Sequence, residues 1–166
     1  KQNMIKKSLL SSFIEKYYLG GRTETAKISI SNSEMKCSFQ GGDASMNVLG
    51  TIKLNDIDLP DGDLNLFEST TKILKLFTAL DDEIDIKYIT VDGDDDIKNI
   101  ELTDDTKTIN FTLADSTLLV DPKRMTKKIN YELEFEVNDS FISEYLRSKS
   151  ALAEATEVHP VALVTV

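Results

Sequence analysis

One cysteine, one histidine, three prolines and no tryptophan leave this 166-residue chain few of the groups that catalysis or metal binding needs. A lone thiol excludes an internal disulfide. Cys37 alternates with Met35 and Phe39 as a core-facing strand residue would, so a reducing, cytoplasmic setting is expected. Without a second His or Cys, neither a zinc cage nor a Ser/His/Asp triad can be assembled in the usual way. The only histidine, His159, precedes Pro160 and reads as a structural or solvent-facing residue. No lysine of the phosphate-loop kind follows Gly20-Gly21, and no G-x-G-x-x-G occurs. No apolar run is long enough for a membrane-spanning helix, and Ser8, Ser11, Ser12 and Glu15 interrupt any signal-peptide core, so no membrane partner is expected. The composition therefore predicts a protein that is not an enzyme and holds no cofactor or metal.

What the chain does have is charge, unevenly placed. The formal net charge is −10, and the stretch from Asp81 to Asp105 holds eleven acids against Lys87 and Lys98. The first two amphipathic segments, in contrast, carry more lysine than acid. A chain with acidic strands and turns but basic helices is suited to handling a polyanion while its exterior stays soluble and repulsive. The simpler alternative is that these lysines are solvated helix faces of the ordinary kind. The run Asp92-Gly93-Asp94-Asp95-Asp96 resembles a calcium loop but fails the EF-hand template, because Ile97 and Thr103 stand where Gly and Glu are required.

Apolar spacing organises the rest. Ile5, Leu9, Phe13 and Tyr17 recur every four residues, predicting a helix over 4–18 that stops at Gly20-Gly21. Ala26, Ile28 and Ile30, then Met35, Cys37 and Phe39, alternate with polar residues as strands, with turns at Asn32-Ser33 and Gly41-Gly42 and a further strand over 46–54. A polar loop with Pro60 and Gly62 leads to a second helix over 67–80, whose apolar face is Phe67, Ile73, Leu74, Phe77 and Leu80. Strands are predicted over 84–91, 97–102, 108–113 and 117–120. A basic connector at 121–128 precedes an alternating strand over 131–137, a third helix over 140–155 capped by Asn138 or Asp139, and a terminal strand after Pro160. The helix-then-strand order recurs after the connector, which suggests a repeat whose second copy is incomplete. The class is α+β, with antiparallel sheets and helices packed on one face. Because the chain starts at Lys1 and ends within a strand pattern, it is expected to be a fragment.

Three passages resemble the DNA sliding clamps of bacteriophage, the T-even type in particular: residues 8–16, residues 63–84, and residues 109–122 with Ala114-Asp115-Ser116 and the following Pro122. The resemblance implies a first clamp-like domain over 1–120, a connector over 121–128 and part of a second domain over 129–166. It implies a DNA polymerase processivity factor whose subunits close into a trimeric ring in the full-length protein, with duplex DNA, a polymerase and a clamp loader as partners. Lys6, Lys7, Lys16, Lys72, Lys75, Arg147 and Lys149 would face the phosphate backbone without sequence preference. Val120 and Pro122, near the connector, are the candidates for partner binding. Two rival readings are an acidic α+β protein-interaction module with no nucleic-acid role and a metal-dependent hydrolase built on Asp92–Asp96.

Overall fold

The computed structural model describes residues 4–42, 47–122 and 136–151. The chain divides after Met125 into two compact units. The first unit contains β1 (Met4–Lys6), α1 (Lys7–Tyr18), β2 (Ala26–Ser31), β3 (Glu34–Gly42), β4 (Asn47–Leu54), β5 (Gly62–Leu66), α2 (Thr70–Thr78), β6 (Glu83–Thr90), β7 (Ile97–Thr103) and β8 (Thr108–Thr112), followed by a 3-10 turn at Ser116–Leu118. In the second unit the described element is α3 (Asp139–Ala151).

Among the described residues all strand pairing is antiparallel, in two four-stranded sheets ordered β1-β6-β7-β8 and β4-β3-β2-β5. Register follows the hydrophobic alternation, because a slip of one residue would turn every inward side chain to solvent. Ile28 faces Cys37 and Ile30 faces Met35 in one sheet. Ile86 faces Leu102 and Ile100 faces Phe111 in the other. These inward residues join Leu10, Phe13, Ile14 and Tyr17 of α1 and Ile73 and Phe77 of α2 in one hydrophobic core. The protein is thus α+β, with antiparallel sheets and a helix pair.

Several boundaries differ from the sequence reading. Residues 4–6 form a strand rather than the first helical turn, paired to β6 with Ile5 opposite Ile84. Ile5 satisfies both periodicities, so the helical stripe concealed the short strand. The second helix starts at Thr70, because Glu68 takes a left-handed φ of 49° that breaks the helical run, and Phe67 is exposed ahead of it. Residues 62–66 differ from the loop that Pro60 and Gly62 predict. They form β5, where Leu64 and Leu66 face the core. Gly41 and Gly42 do not turn the chain but lie in β3, opposite Val48 and Asn47. The strand expected over 117–120 is replaced by the 3-10 turn: the Asp115 carboxylate accepts from the Thr117 amide at 3.0 Å and from its hydroxyl at 2.7 Å, taking up the donor that a ladder would need. The connector after Pro122, residues 131–135 of the strand expected over 131–137, the expected end of the third helix, His159 and the expected terminal strand lie outside the described residues, and Glu136 and Val137, which are described, are not in a strand.

Candidate nucleic-acid interface

The two helices of the first unit lie antiparallel and side by side. At one end, Tyr17 Oη lies 3.2 Å from Thr70 Oγ1 and Tyr18 Oη 2.8 Å from Thr71 Oγ1, joining the C-terminus of α1 to the N-terminus of α2. At the other end, the Lys7 amide donates to the Asp82 carbonyl at 2.6 Å and the Ser8 amide to Asp82 Oδ1 at 3.1 Å. That places the start of α1 against the exit of α2.

The helix starts are capped reciprocally. The first amides of a helix have no intrahelical partner, and the helix dipole favours an anion beside them. Neither helix supplies a side-chain cap from its own N-cap residue, Lys6 or Ser69. Glu24, shortly after α1, serves α2 instead. Its carbonyl accepts from the Ser69 and Thr70 amides and the Thr70 hydroxyl, and its carboxylate accepts from the Thr71 amide and hydroxyl. Asp82, shortly after α2, serves α1. Sequence reasoning missed both roles, because each cap is supplied across the tertiary contact and leaves no local capping pattern.

Between the helices runs a groove of about 460 Å³. Leu74, Phe77 and Tyr18 contribute apolar surface, and Lys7, Glu15 and Lys75 contribute charge. Lys16 and Lys72 are exposed and directly follow the groove residues Glu15 and Thr71, so each sits about 100° further round its helix. The helix pair therefore carries Lys7, Lys16, Lys72 and Lys75 against the single acid Glu15. Among the described residues no hydrogen bond or ion pair engages the side chains of Lys16, Lys72 or Lys75. Lys7 differs: its ammonium donates to the Leu80 carbonyl. Lys6 belongs to β1, exposed and opposite Glu83, and not to a helix.

Part of the acidic stretch is committed to protein donors. The Asp104 side chain is buried and takes the Lys107 ammonium at 2.8 Å, the Thr106 amide at 2.8 Å and hydroxyl at 2.9 Å, the Lys107 amide at 2.8 Å and the Asp81 amide at 3.0 Å. The Lys107 hydrogen bond above all holds its carboxyl well below the usual carboxylate range. Asp94 pairs with Lys98 at 2.7 Å, and Asp96 accepts from the Ser116 amide at 3.1 Å. These carboxylates point at protein donors, and among the described residues no three His, Cys, Asp or Glu side chains are grouped to hold a metal.

In the second unit, Arg147 and Lys149 lie exposed on α3, with Arg147 3.8 Å from Glu144. Asn138 caps this helix by accepting from the Phe141 amide at 2.9 Å, and Ile142, Tyr145 and Leu146 are exposed along it. Val120 is 90% exposed and Pro122 half-buried; Leu118, which the sequence did not single out, is exposed two residues before Val120. No helix among the described residues is long and apolar enough to cross a membrane.

Among solved structures the chain is similar to the DNA polymerase III β subunit of Pseudomonas aeruginosa, with a TM-score of 0.56 and 11% identity over 79% of this chain and 34% of that one. It is similar to a DNA polymerase sliding clamp from the same organism solved with a ligand, with a TM-score of 0.51 and 9% identity over 74% of this chain and 32% of that one. The Helicobacter pylori β clamp bound to a DNA ligase peptide matches with a TM-score of 0.50 and 10% identity, over 76% of this chain and 34% of that one. The chain thus spans about a third of the length of these clamps. No family model and no curated protein matches it. The likeness shows the fold of the DNA sliding clamps.

Proposed function

We propose that this chain is part of a DNA polymerase sliding clamp of the bacteriophage, T-even kind: a processivity factor that encircles duplex DNA and tethers the replicative polymerase. Residues 1–120 form its first domain, 121–128 the connector and 129–166 part of a second domain. The observation that carries the reading is the cross-capped helix pair, which presents Lys16, Lys72 and Lys75 unengaged in a protein of net charge −10 with the clamp fold. Lysines free of internal partners can contact phosphates through Coulomb attraction and counterion release, with no preference for sequence. Few such contacts give a weak grip. Enclosure rather than affinity would hold the ring on DNA, and a weak grip lets it slide. Acidic strands and turns elsewhere repel the duplex and favour the helix side.

In the full-length protein, three subunits would close the ring, a clamp loader would open it, and Arg147 and Lys149 would also contact phosphates. Val120 and Pro122, with Leu118 beside them, would offer apolar surface to the polymerase. No residue has a catalytic role in this reading.

Duplex binding followed by fluorescence anisotropy over a range of salt tests the proposal. Each phosphate-contacting lysine adds about 0.9 to the magnitude of the slope of log K against log salt. The Lys16→Glu/Lys72→Glu/Lys75→Glu variant is expected to lose most of the affinity and to flatten that slope. Unchanged binding would overturn the reading in favour of an interaction module with no nucleic-acid role.

A further inference from the structure

We infer that Lys7 is a positioning residue that sets the alignment of the two helices and makes no phosphate contact of its own. The inference rests on the helix pair facing DNA, but it separates one lysine from the others on geometry. The Lys7 ammonium donates to the carbonyl of Leu80, a buried residue just past the end of α2. Carbonyls at a helix exit lack intrahelical donors and carry the negative end of the dipole, so a cation is held there by hydrogen bond and field together. The main chain fixes the same place, since the Lys7 and Ser8 amides both donate to Asp82. The next link runs to the sheet: the Asp81 amide donates to Asp104, which Lys107 neutralises.

Lys7 therefore bolts the start of α1 to Leu80–Asp82, and Asp104 bolts that segment to the β7–β8 turn. Swinging the ammonium out to a phosphate would give up the Leu80 carbonyl and leave it without its donor. Lys16, Lys72 and Lys75 have no such bond to lose. At the opposite end the two tyrosines and Glu24 do the corresponding work, so the helix pair is pinned at both ends while Lys16, Lys72 and Lys75 engage no partner among the described residues.

Lys7→Met and Lys75→Met, compared in salt-dependent duplex binding and in amide hydrogen exchange, test this. Lys75→Met is expected to lower the magnitude of the salt slope by about 0.9. Lys7→Met is expected to leave the slope unchanged while the Lys7, Ser8 and Asp81 amides exchange faster, and Lys7→Arg is expected to restore their protection. A fall of about 0.9 in the Lys7→Met slope would overturn the inference. So would unchanged exchange at those amides, whatever DNA does. If Lys16→Met, Lys72→Met and Lys75→Met all left the slope untouched, the DNA reading would fail, and the exchange result alone would decide the role of Lys7.

Discussion

The hydroxyl of Tyr18, on the last turn of α1, lies 2.8 Å from the hydroxyl of Thr71, on the first turn of α2. Thr71 uses its own proton to donate to the Glu24 carboxylate, so Tyr18 must be the donor to Thr71. One residue earlier, Tyr17 stands in the same relation to Thr70, which donates to the Glu24 carbonyl at 2.9 Å. Two consecutive tyrosines thus feed two consecutive threonines, and both threonines feed one glutamate. This relay joins the two helices at one end.

Removing links of the relay should cost different amounts. Tyr18→Phe deletes one hydrogen bond and leaves Thr71 on Glu24, a loss of about 0.5–1.5 kcal/mol. Thr71→Val breaks two and leaves the Tyr18 hydroxyl and a Glu24 oxygen without that partner, which is expected to cost about 1–3 kcal/mol. Urea unfolding of both variants gives the ranking. Equal or reversed costs would contradict the relay.

Asp104 gives a pH prediction of definite sign. Its folded carboxyl titrates below its ordinary value of 3.8, so its stabilisation is complete above that pH and is lost as pH falls toward the lower folded value. Asp104→Asn should lower the unfolding midpoint by a constant amount near neutrality. The gap from the parent protein should narrow once pH drops below about 4. Thermal melts from pH 7 to pH 2.5 read this directly; a gap that widened in acid would refute it.

Gly41 is required by its neighbour. A Cβ built there would stand 2.2 Å from the buried Thr23 hydroxyl oxygen, which has no hydrogen-bond partner among the described residues. Gly41→Ala should therefore destabilise by about 1–3 kcal/mol through overpacking. Thr23→Ala removes the clashing atom and should recover most of that loss in the double variant. Additive costs in chemical denaturation would show that the clash is relieved some other way.

Sequence patterning reached the regular parts of this fold and stopped at the contacts that cross it. Ile28, Ile30, Cys37 and Phe39 announce their strands because each buries one face only, and that burial imposes a period of two. β5 was hidden because its alternation of Asp63, Leu64, Asn65 and Leu66 is only four residues long and directly follows the turn signals Pro60 and Gly62. The lysines of the helix pair were visible as charges on helical faces, but nothing local marks Lys7 as engaged and Lys16, Lys72 and Lys75 as free. That distinction depends on where Leu80 falls, 73 residues later. Glu24 and Asp82 look like ordinary surface acids for the same reason.

Site-specific cross-linking tests the central claim most directly. The only native thiol, Cys37, is buried, and that burial pushes its pKa up to about 12, so it stays silent beside introduced cysteines. Lys16→Cys, Lys72→Cys and Lys75→Cys on the helix pair, and Lys53→Cys and Lys87→Cys on exposed strand positions, would each be offered duplex DNA with thiol-tethered phosphates. The account predicts disulfide capture from positions 16, 72 and 75 and little from 53 and 87. Equal capture at all five, or capture from the strands instead, would contradict the assignment of the helix pair as the DNA-facing surface.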